Sequence, residues 1–244
     1  MFSIFKKEIQ GFLSSLVAYM VIAVFLLVNG LFMWVFPDYS VLDFGYANLD
    51  PLFSISPWVF MFLISAITMR FFAEEKKTGS IELVFTRPIS DAAIILGKFW
   101  AGMALVLVAL LPTIIYFITI YFLADPVGNV DTGGILGSYL GLCFLAAAYV
   151  AIGIFASATT DSQIVAFILA LFLCFSVYVV FDALSKFVGI GNNTAFILEQ
   201  LSIATHYNAM SKGVIDSRDV LYFLSVICLF LFGTKTVLGS RNWS

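Results

Sequence analysis

The chain has 244 residues, of which 62% are hydrophobic and only 11% are charged, and its mean hydropathy is +1.06. Soluble globular domains carry roughly 25% charged residues, so this chain has too few polar side chains to cover a water-soluble globule. The composition excludes soluble classes of protein, nucleic-acid-binding domains among them, and indicates a chain solvated by lipid. The net charge of −3 decides little, because in a membrane protein the placement of charge matters more than its sum.

Residues 1–15 precede the first long apolar run. Apolar side chains recur here at helical spacing, whereas Lys6, Lys7 and Gln10 fall elsewhere on the helical turn. The apolar set is Phe2, Phe5, Ile9, Phe12 and Leu16. The pattern predicts an amphipathic interfacial helix lying along one leaflet. The alternative is a ragged extension of the first span.

Six segments are long and apolar enough to cross a bilayer, which takes roughly 20 apolar residues. Lipid offers the backbone no hydrogen-bond partners, so a spanning segment is a helix or a strand of a closed barrel. The runs are continuously apolar rather than alternating, which excludes a barrel. The predicted spans are about 16–36, 52–72, 99–123, 135–157, 163–182 and 220–238. The sequence predicts an all-α polytopic membrane protein, organised as a single domain over 1–244.

The first apolar run is longer than the core of a signal peptide and no A-x-A site follows it, so we expect it to be retained. Orientation follows from the distribution of Lys and Arg. With the N-terminus inside, the inner segments hold Lys6, Lys7, Arg70, Lys76, Lys77, Arg87, Lys98, Lys235 and Arg241. The outer segments hold only Lys186, Lys212 and Arg218. The pattern predicts that both termini are cytoplasmic.

The predicted cytoplasmic loop 73–98 carries much of the charge of the chain. Glu74–Lys77 forms a charged cap, and the sequence TGS at 78–80 is typical of a helix start. A short amphipathic helix then ends at Arg87, because Pro88 disfavours the α conformation in the residue before it. Its apolar face consists of Ile81, Val84 and Phe85. This face lies on the membrane surface or enters a groove on a soluble partner.

Three further features concern packing. Gly133, Gly137 and Gly141 lie four residues apart and predict close helix contacts. Pro112 predicts an interruption of the third span. The outer segment 183–219 is too long and too apolar for a simple linker, so we expect short helices that enter the outer leaflet or cover an exit.

The sequence contains no evident catalytic or metal centre. No P-loop and no G-x-S-x-G sequence occurs, and His206 is the only histidine. Cys143, Cys174 and Cys228 all sit in apolar runs, where a small buried hydrophobe is the expected role. We therefore expect neither an enzyme nor a cofactor in this chain.

Two segments carry a resemblance to a family. The stretch EEKKTGSIELVFTRPIS, followed by Gly97 and Lys98, is similar to the cytoplasmic loop of ABC-2 type permeases. Ser80 stands where that family usually has Thr, which preserves the hydroxyl. The outer segment before the sixth span also resembles the family, at His206, Tyr207, Gly213, Asp216 and Asp219. The amino-acid sequence of the loop is most similar to that of the permease subunit of the gliding-motility ABC transporter of Bacteroidota.

The resemblance implies a partner ATPase and a site on this chain that contacts it. A separate cytoplasmic ABC ATPase would bind ATP-Mg and receive the short helix as a coupling helix, in a bacterial inner membrane. The implied coupling residues are Glu74, Glu75, Gly79, Ser80, Ile81, Glu82, Val84, Phe85, Arg87, Pro88 and Lys98. A second permease, identical or different, would complete the unit, with membrane lipid and an outer-facing accessory protein as further partners. Of the outer set, His206, Tyr207 and Asp216 contact substrate or belong to a structural lid.

Three alternatives to this function stay open. A scaffold that transmits force without transport would also have spans whose middles carry no charge. The same holds for an exporter of lipid or glycolipid. A copper-related permease of the same family also fits the sequence.

Overall fold

The computed structural model describes residues 1–37, 40–42, 47–82, 89–188 and 193–240. Within these ranges the regular structure is helical, and six segments are long and apolar enough to span a membrane, which confirms the predicted fold class. The helices are α1 (Phe2–Leu13), α2 (Leu16–Trp34), α3 (Asp50–Thr68), α4 (Ala73–Lys77), α5 (Asp91–Leu110), α6 (Ile114–Leu123), α7 (Thr132–Thr159), α8 (Gln163–Phe175), α9 (Phe181–Val188), α10 (Asn193–Gln200), α11 (Ile203–Met210) and α12 (Ser217–Gly239). The six spans are α2, α3–α4, α5–α6, α7, α8–α9 and α12.

Helix α7 lies at the centre of the bundle. In the most apolar stretch of 18 residues in α7, 78% of the residues are buried, compared with 17% in the corresponding stretch of α12. Helix α7 packs against α3, α5, α8 and α12. Small residues allow this close packing. A Cβ added at Gly153 would lie only 2.1 Å from Oγ1 of Thr68 on α3. The outer helices α2, α8 and α12 expose many large apolar side chains, as expected of surfaces that face lipid.

The two ends of the bundle are built differently. At the end that carries α1, here called the α1 end, α1 packs on α5 and α4 packs on α7. At the opposite end, here called the far end, α11 packs on α7 and reaches α3 through Tyr207, and α10 packs on α9 and α11. The segment 183–219 therefore contains short helices, as its sequence indicates.

The third span is interrupted where Pro112 predicts it. A single turn of 3-10 helix, Leu111–Thr113, separates α5 from α6. Oγ1 of Thr113 donates to the carbonyl of Leu110 at 2.7 Å and lies 3.0 Å from the hydroxyl of Tyr139 on α7. The proline removes one helical hydrogen bond, and side chains stabilise the resulting break.

The N-terminal helix differs from the sequence expectation in register. It ends before Ser15, whose side chain caps a new helix, so Leu16 belongs to α2 and not to the face of α1. Ile4 and Phe12 are buried. Gly97 on α5 leaves room for the contact between α1 and α5, because an added Cβ at Gly97 would lie 3.2 Å from Cβ of Ile4. Phe12 consequently faces the protein and not the membrane surface.

The loop predicted over 73–98 is shorter in the structure. Helix α4 continues the second span after a short break, and α5 already begins at Asp91, capped by Ser90, whose Oγ accepts from the backbone N–H of Ala93 at 3.3 Å. Polar turns thus extend both helices beyond the apolar run from which the boundaries were predicted. The connection between α4 and α5 therefore covers 78–90, of which 83–88 lie outside the described residues, and Ile81 and Glu82 are helical.

Candidate functional site

A cluster of charged side chains lies at the α1 end, where α1, α4 and α5 meet. Its centre is Lys98, which is 1% exposed. The Nζ of Lys98 lies 2.6 Å from Oε1 of Glu8 on α1 and 3.0 Å from Oε2 of Glu75 on α4. It also donates to the carbonyl of Phe71 at 2.5 Å, so the Lys98 ammonium group on α5 joins α1 to the segment 71–75.

Lys7 completes this group, which we call the charged cluster: Lys7, Glu8, Glu75 and Lys98. Nζ of Lys7 lies 2.5 Å from Oε1 of Glu75, so two cations face two carboxylates. Burial lowers the pKa of Lys7, but the hydrogen bond and the negative charge of Glu75 outweigh it and raise the pKa above 10.5. The stabilisation is fully present below pH 10.5 and lost only as the pH rises through the folded-state pKa. The pair therefore persists at neutral pH.

Two further basic side chains, Arg70 and Lys76, hold α4 in place. Nε of Arg70 lies 2.8 Å from Oε2 of Glu74, and Nη1 of Arg70 donates to Oγ of Ser15 at 3.0 Å, at the start of α2. On the other side, Nζ of Lys76 donates to the carbonyl of Ala158 at the end of α7, at 2.5 Å. Helix α4 is thus tied to two spans besides its own.

Ser157 on α7 caps the break between α3 and α4. Its Oγ accepts from the backbone N–H groups of Phe72 and Ala73 at 3.0 and 3.1 Å and donates to the carbonyl of Met69 at 3.1 Å. These backbone groups have no helical partner at the break, and an unpaired buried amide is costly. This role could not be predicted from the sequence, because a lone serine in an apolar helix gives no sign of its partner.

The described part of the loop beyond α4 presents polar groups to solvent. Thr78, Gly79 and Glu82 are exposed, and Gly79 has a φ of +69°, which favours glycine. Oγ of Ser80 lies 2.9 Å from Oγ1 of Thr78, whereas Ile81 packs partly against the core. Four other predicted coupling residues lie outside the described residues: Val84, Phe85, Arg87 and Pro88.

A cleft of about 340 Å³ lies beside this loop, between α1 and α4. Its lining combines charged side chains, among them Lys7 and Glu74, with the apolar side chains of Phe12 and Ile67. Ser80 also lines the cleft, which therefore reaches the exposed loop.

The structure divides the predicted coupling residues into two groups. Glu82 and Gly79 are accessible, whereas Glu75 and Lys98 are buried and directed at α1. Glu8 was not among the predicted coupling residues. Its position four residues after Ile4 and four before Phe12 could have indicated its role, because this spacing places a carboxylate on the buried face of α1, where it needs a basic partner.

The predicted outer residues form a second cluster at the far end. Nδ1 of His206 lies 2.6 Å from Oδ1 of Asp219, and Nε2 lies 2.9 Å from the carbonyl of Gln200. The His206 ring stacks on Tyr222 at 4.0 Å between centroids. These contacts join α10, α11 and α12, and they use both ring nitrogens of the histidine.

The remaining outer residues also make contacts within the fold. The hydroxyl of Tyr207 donates to the carbonyl of Phe53 on α3 at 2.7 Å, and burial raises the pKa of Tyr207 well above its usual range. Asp216 caps α12, and the hydrogen bond from the backbone N–H of Arg218 lowers the pKa of Asp216. In the described chain these side chains hold the far end together.

The glycines at the start of α7 are not equivalent. A Cβ added at Gly137 would lie 2.8 Å from Cα of Gly213, and one at Gly141 would lie 3.2 Å from Cβ of Met210. Gly213 itself has a φ of +80°, so this turn needs glycine for its backbone as well. An added Cβ at Gly133 would meet only Oδ1 of Asp131, at 3.5 Å. The helix-packing prediction therefore describes Gly137 and Gly141 but not Gly133, which lies at the exposed start of α7.

Comparison with known proteins gives one family. A family model described as an ABC-2 family transporter protein matches residues 2–238, which include all six spans, the charged cluster and the far-end helices. None of the curated proteins compared with the chain matches it. A match over nearly the whole length shows the family, and membership implies partnership with an ABC ATPase subunit. The chain belongs to the ABC-2 family of transporter proteins, as a multi-pass membrane component of such a transporter.

Proposed function

We propose that this chain couples ATP hydrolysis by a separate cytoplasmic ATPase subunit to movement of the membrane spans, and that the loop 78–90 receives the force. The observation that carries the proposal is the combination of an exposed polar loop with a rigid attachment. Thr78, Gly79 and Glu82 are accessible. The helix that leads to them, α4, is held by buried or half-buried polar contacts to α1, α2, α5 and α7.

Such an attachment transmits displacement instead of absorbing it. Because α4 continues α3 and contacts the end of α7 through Ser157 and Ala158, a shift of the loop moves the second and fourth spans together. The contact between Lys98 and Glu75 adds the third span. Two ATPase subunits closing on each other, with a second permease copy or a different permease opposite this one, would turn that shift into a change of packing between the two permeases.

The interior of the bundle favours an apolar cargo or mechanical work over transport of ions or sugars. The middles of the spans carry no charged side chain. Among the described residues, some polar side chains between the spans pair with one another, as Thr113 does with Tyr139, whereas the hydroxyls of Ser65 and Tyr149 are buried without a hydrogen-bond partner. We place the protein in a bacterial inner membrane with both termini cytoplasmic, on the distribution of Lys and Arg. We also propose a role in gliding motility, because the amino-acid sequence of residues 74–91 is similar to that of the gliding-motility permease subunit.

Co-purification with the candidate ATPase tests the coupling loop. Glu82→Arg reverses an exposed charge on the loop, and Glu199→Arg makes the same change at an exposed position of the far end. We expect Glu82→Arg to lose the ATPase while Glu199→Arg retains it. Phe85→Asp tests the apolar face predicted from the sequence in the same assay. Retention of the ATPase by both loop variants, in folded protein, contradicts the proposal.

A further inference from the structure

We infer that Lys98 is a positioning residue that makes the N-terminal helix α1 part of the coupling region, so that α1 moves with the loop and is not an independent membrane anchor. The movement of α1 with the loop rests on the proposed function. The attachment of α1 to α5 through Lys98 does not depend on an ATPase. Lys98 would act through Glu8 and Glu75 and would make no direct contact with the partner.

The buried charges of the cluster depend on α1 for their partners. Lys98 is 1% exposed and Glu75 is buried, and a charge removed from water is tolerated only when it is paired. Glu8, the nearer carboxylate at 2.6 Å, belongs to α1. If α1 left the bundle, Lys98 would lose this partner, and Glu75 would lose its contact at 2.5 Å to Lys7, which is also on α1. Two of the ion pairs at the centre of the cluster would break together.

The surface of α5 also fits α1 sterically. Gly97, directly before Lys98, faces α1: an added Cβ would lie 3.1 Å from the carbonyl oxygen of Met1 and 3.2 Å from Cβ of Ile4. Gly97 therefore makes room for α1 and Lys98 binds it. The Gly-Lys pair at the entry to the third span is explained by a contact inside the subunit.

Part of the surface of α1 stays free of contact with the bundle. Phe2 is 76% exposed and stacks on Phe5 with ring centroids 6.2 Å apart. On the helical turn Phe2 lies well away from Ile4, Glu8 and Phe12, whereas the half-buried Phe5 lies at the edge of that buried face. One face of α1 thus binds the coupling region, while Phe2 presents an exposed aromatic side chain suited to a membrane surface. A displacement of the loop would carry this membrane-facing helix with it.

A charge swap distinguishes an internal tie from a contact with the ATPase. Lys98→Glu places three carboxylates in the charged cluster against one lysine. The double variant Lys98→Glu with Glu8→Lys restores two cations and two anions. The matched control is Lys77→Glu, which makes the same change at an exposed lysine of α4.

The first readout is hydrogen exchange of the α1 backbone amides in the purified chain. We expect Lys98→Glu to speed exchange on the order of 100-fold, as for breaking a buried ion pair, and the swap to restore most of the protection. Lys77→Glu is expected to leave α1 unchanged. Should Lys98→Glu fail to fold, Glu8→Gln, which removes one charge from α1, gives the same comparison. Unchanged exchange in Lys98→Glu or Glu8→Gln overturns the inference.

The second readout is retention of the ATPase. If Lys98 only positions α1, the swap restores the ATPase retention that Lys98→Glu weakens. If the swap restores α1 protection but not the ATPase, Lys98 contacts the partner and the inference is overturned. If wild type itself retains no ATPase, the proposed function fails, while hydrogen exchange still decides whether Lys98 ties α1 to the bundle.

Discussion

Asn29 is fully buried in the first span and shows how single polar side chains hold the bundle together. Its Nδ2 donates to the carbonyl of Phe25 at 2.8 Å, and its Oδ1 accepts from Oγ of Ser56 on α3 at 3.1 Å. Hydrogen bonds between helices inside a membrane average about 0.6 kcal/mol. Such a bond is worth little alone, but it fixes the rotation of α2 against α3.

Gly137 gives a prediction at the scale of one residue. Gly137→Ala would place a Cβ 2.8 Å from the backbone of Gly213, which cannot move aside like a flexible side chain. We expect a loss of stability of about 1–3 kcal/mol, the usual cost of overpacking. Gly133→Ala, at an open position of the same helix, is expected to be neutral or to gain up to about 1 kcal/mol. Thermal unfolding in detergent measures both variants, and an equal loss in the two would contradict the packing described for Gly137.

The sequence predicts where the candidate site lies in the chain, but only part of how its side chains are arranged. The density of charge in 70–98 indicates the region, and the exposed Glu82 agrees with its expected accessibility. That Lys98 is buried could not be read from its neighbours, because its partner Glu8 lies 90 residues earlier in the chain. A pairing of this kind depends on how α1 packs, and helical periodicity fixes a face of α1 but not the helix it meets.

At the scale of helices, spans are predictable and their ends are not. The apolar runs give six helices because lipid leaves the backbone no other partner. The boundaries differ where polar residues continue a helix past the apolar run, as at Asp91, or where a side chain of another helix caps a break, as Ser157 does. Hydropathy carries no information about either case.

Helix α7 gives a prediction at this scale. Ser157→Ala leaves the buried N–H groups of Phe72 and Ala73 without an acceptor, and each unpaired group costs about 1–3 kcal/mol. We expect a lower unfolding temperature and faster hydrogen exchange in α4. Thr159→Ala, two residues on and exposed, is the control and is expected to change neither. Stability equal to that of wild type in Ser157→Ala would show that water replaces the serine at the break.

At the scale of the molecule, α7 connects the two clusters. Its 28 residues span about 42 Å, with Ser157 at the α1 end and Gly137 packed on the far-end helices. On the proposed function, a force applied at the loop therefore reaches the far end through one continuous helix. In addition, the hydroxyl of Tyr207 on α11 donates to the carbonyl of Phe53 on α3, so the far end rests on both spans that the loop would move.

The orientation of the whole molecule follows from its basic residues, and cysteine labelling tests it. The α1 end carries most of the Lys and Arg, which predicts that this end faces the cytoplasm. In a background without Cys143, Cys174 and Cys228, single cysteines replace Thr78 and Val127, which are exposed at the α1 end and the far end respectively.

A membrane-impermeant maleimide added to intact cells is expected to label the chain with Val127→Cys and to leave Thr78→Cys unlabelled until the membrane is permeabilised. Asp161→Cys, in the exposed connection between α7 and α8, is the internal check and is expected to behave like Thr78→Cys. The reverse pattern would place the charged cluster outside the cell, where no cytoplasmic ATPase can reach it. That result would remove the proposed function together with the orientation, while the tie between Lys98 and α1 would still stand.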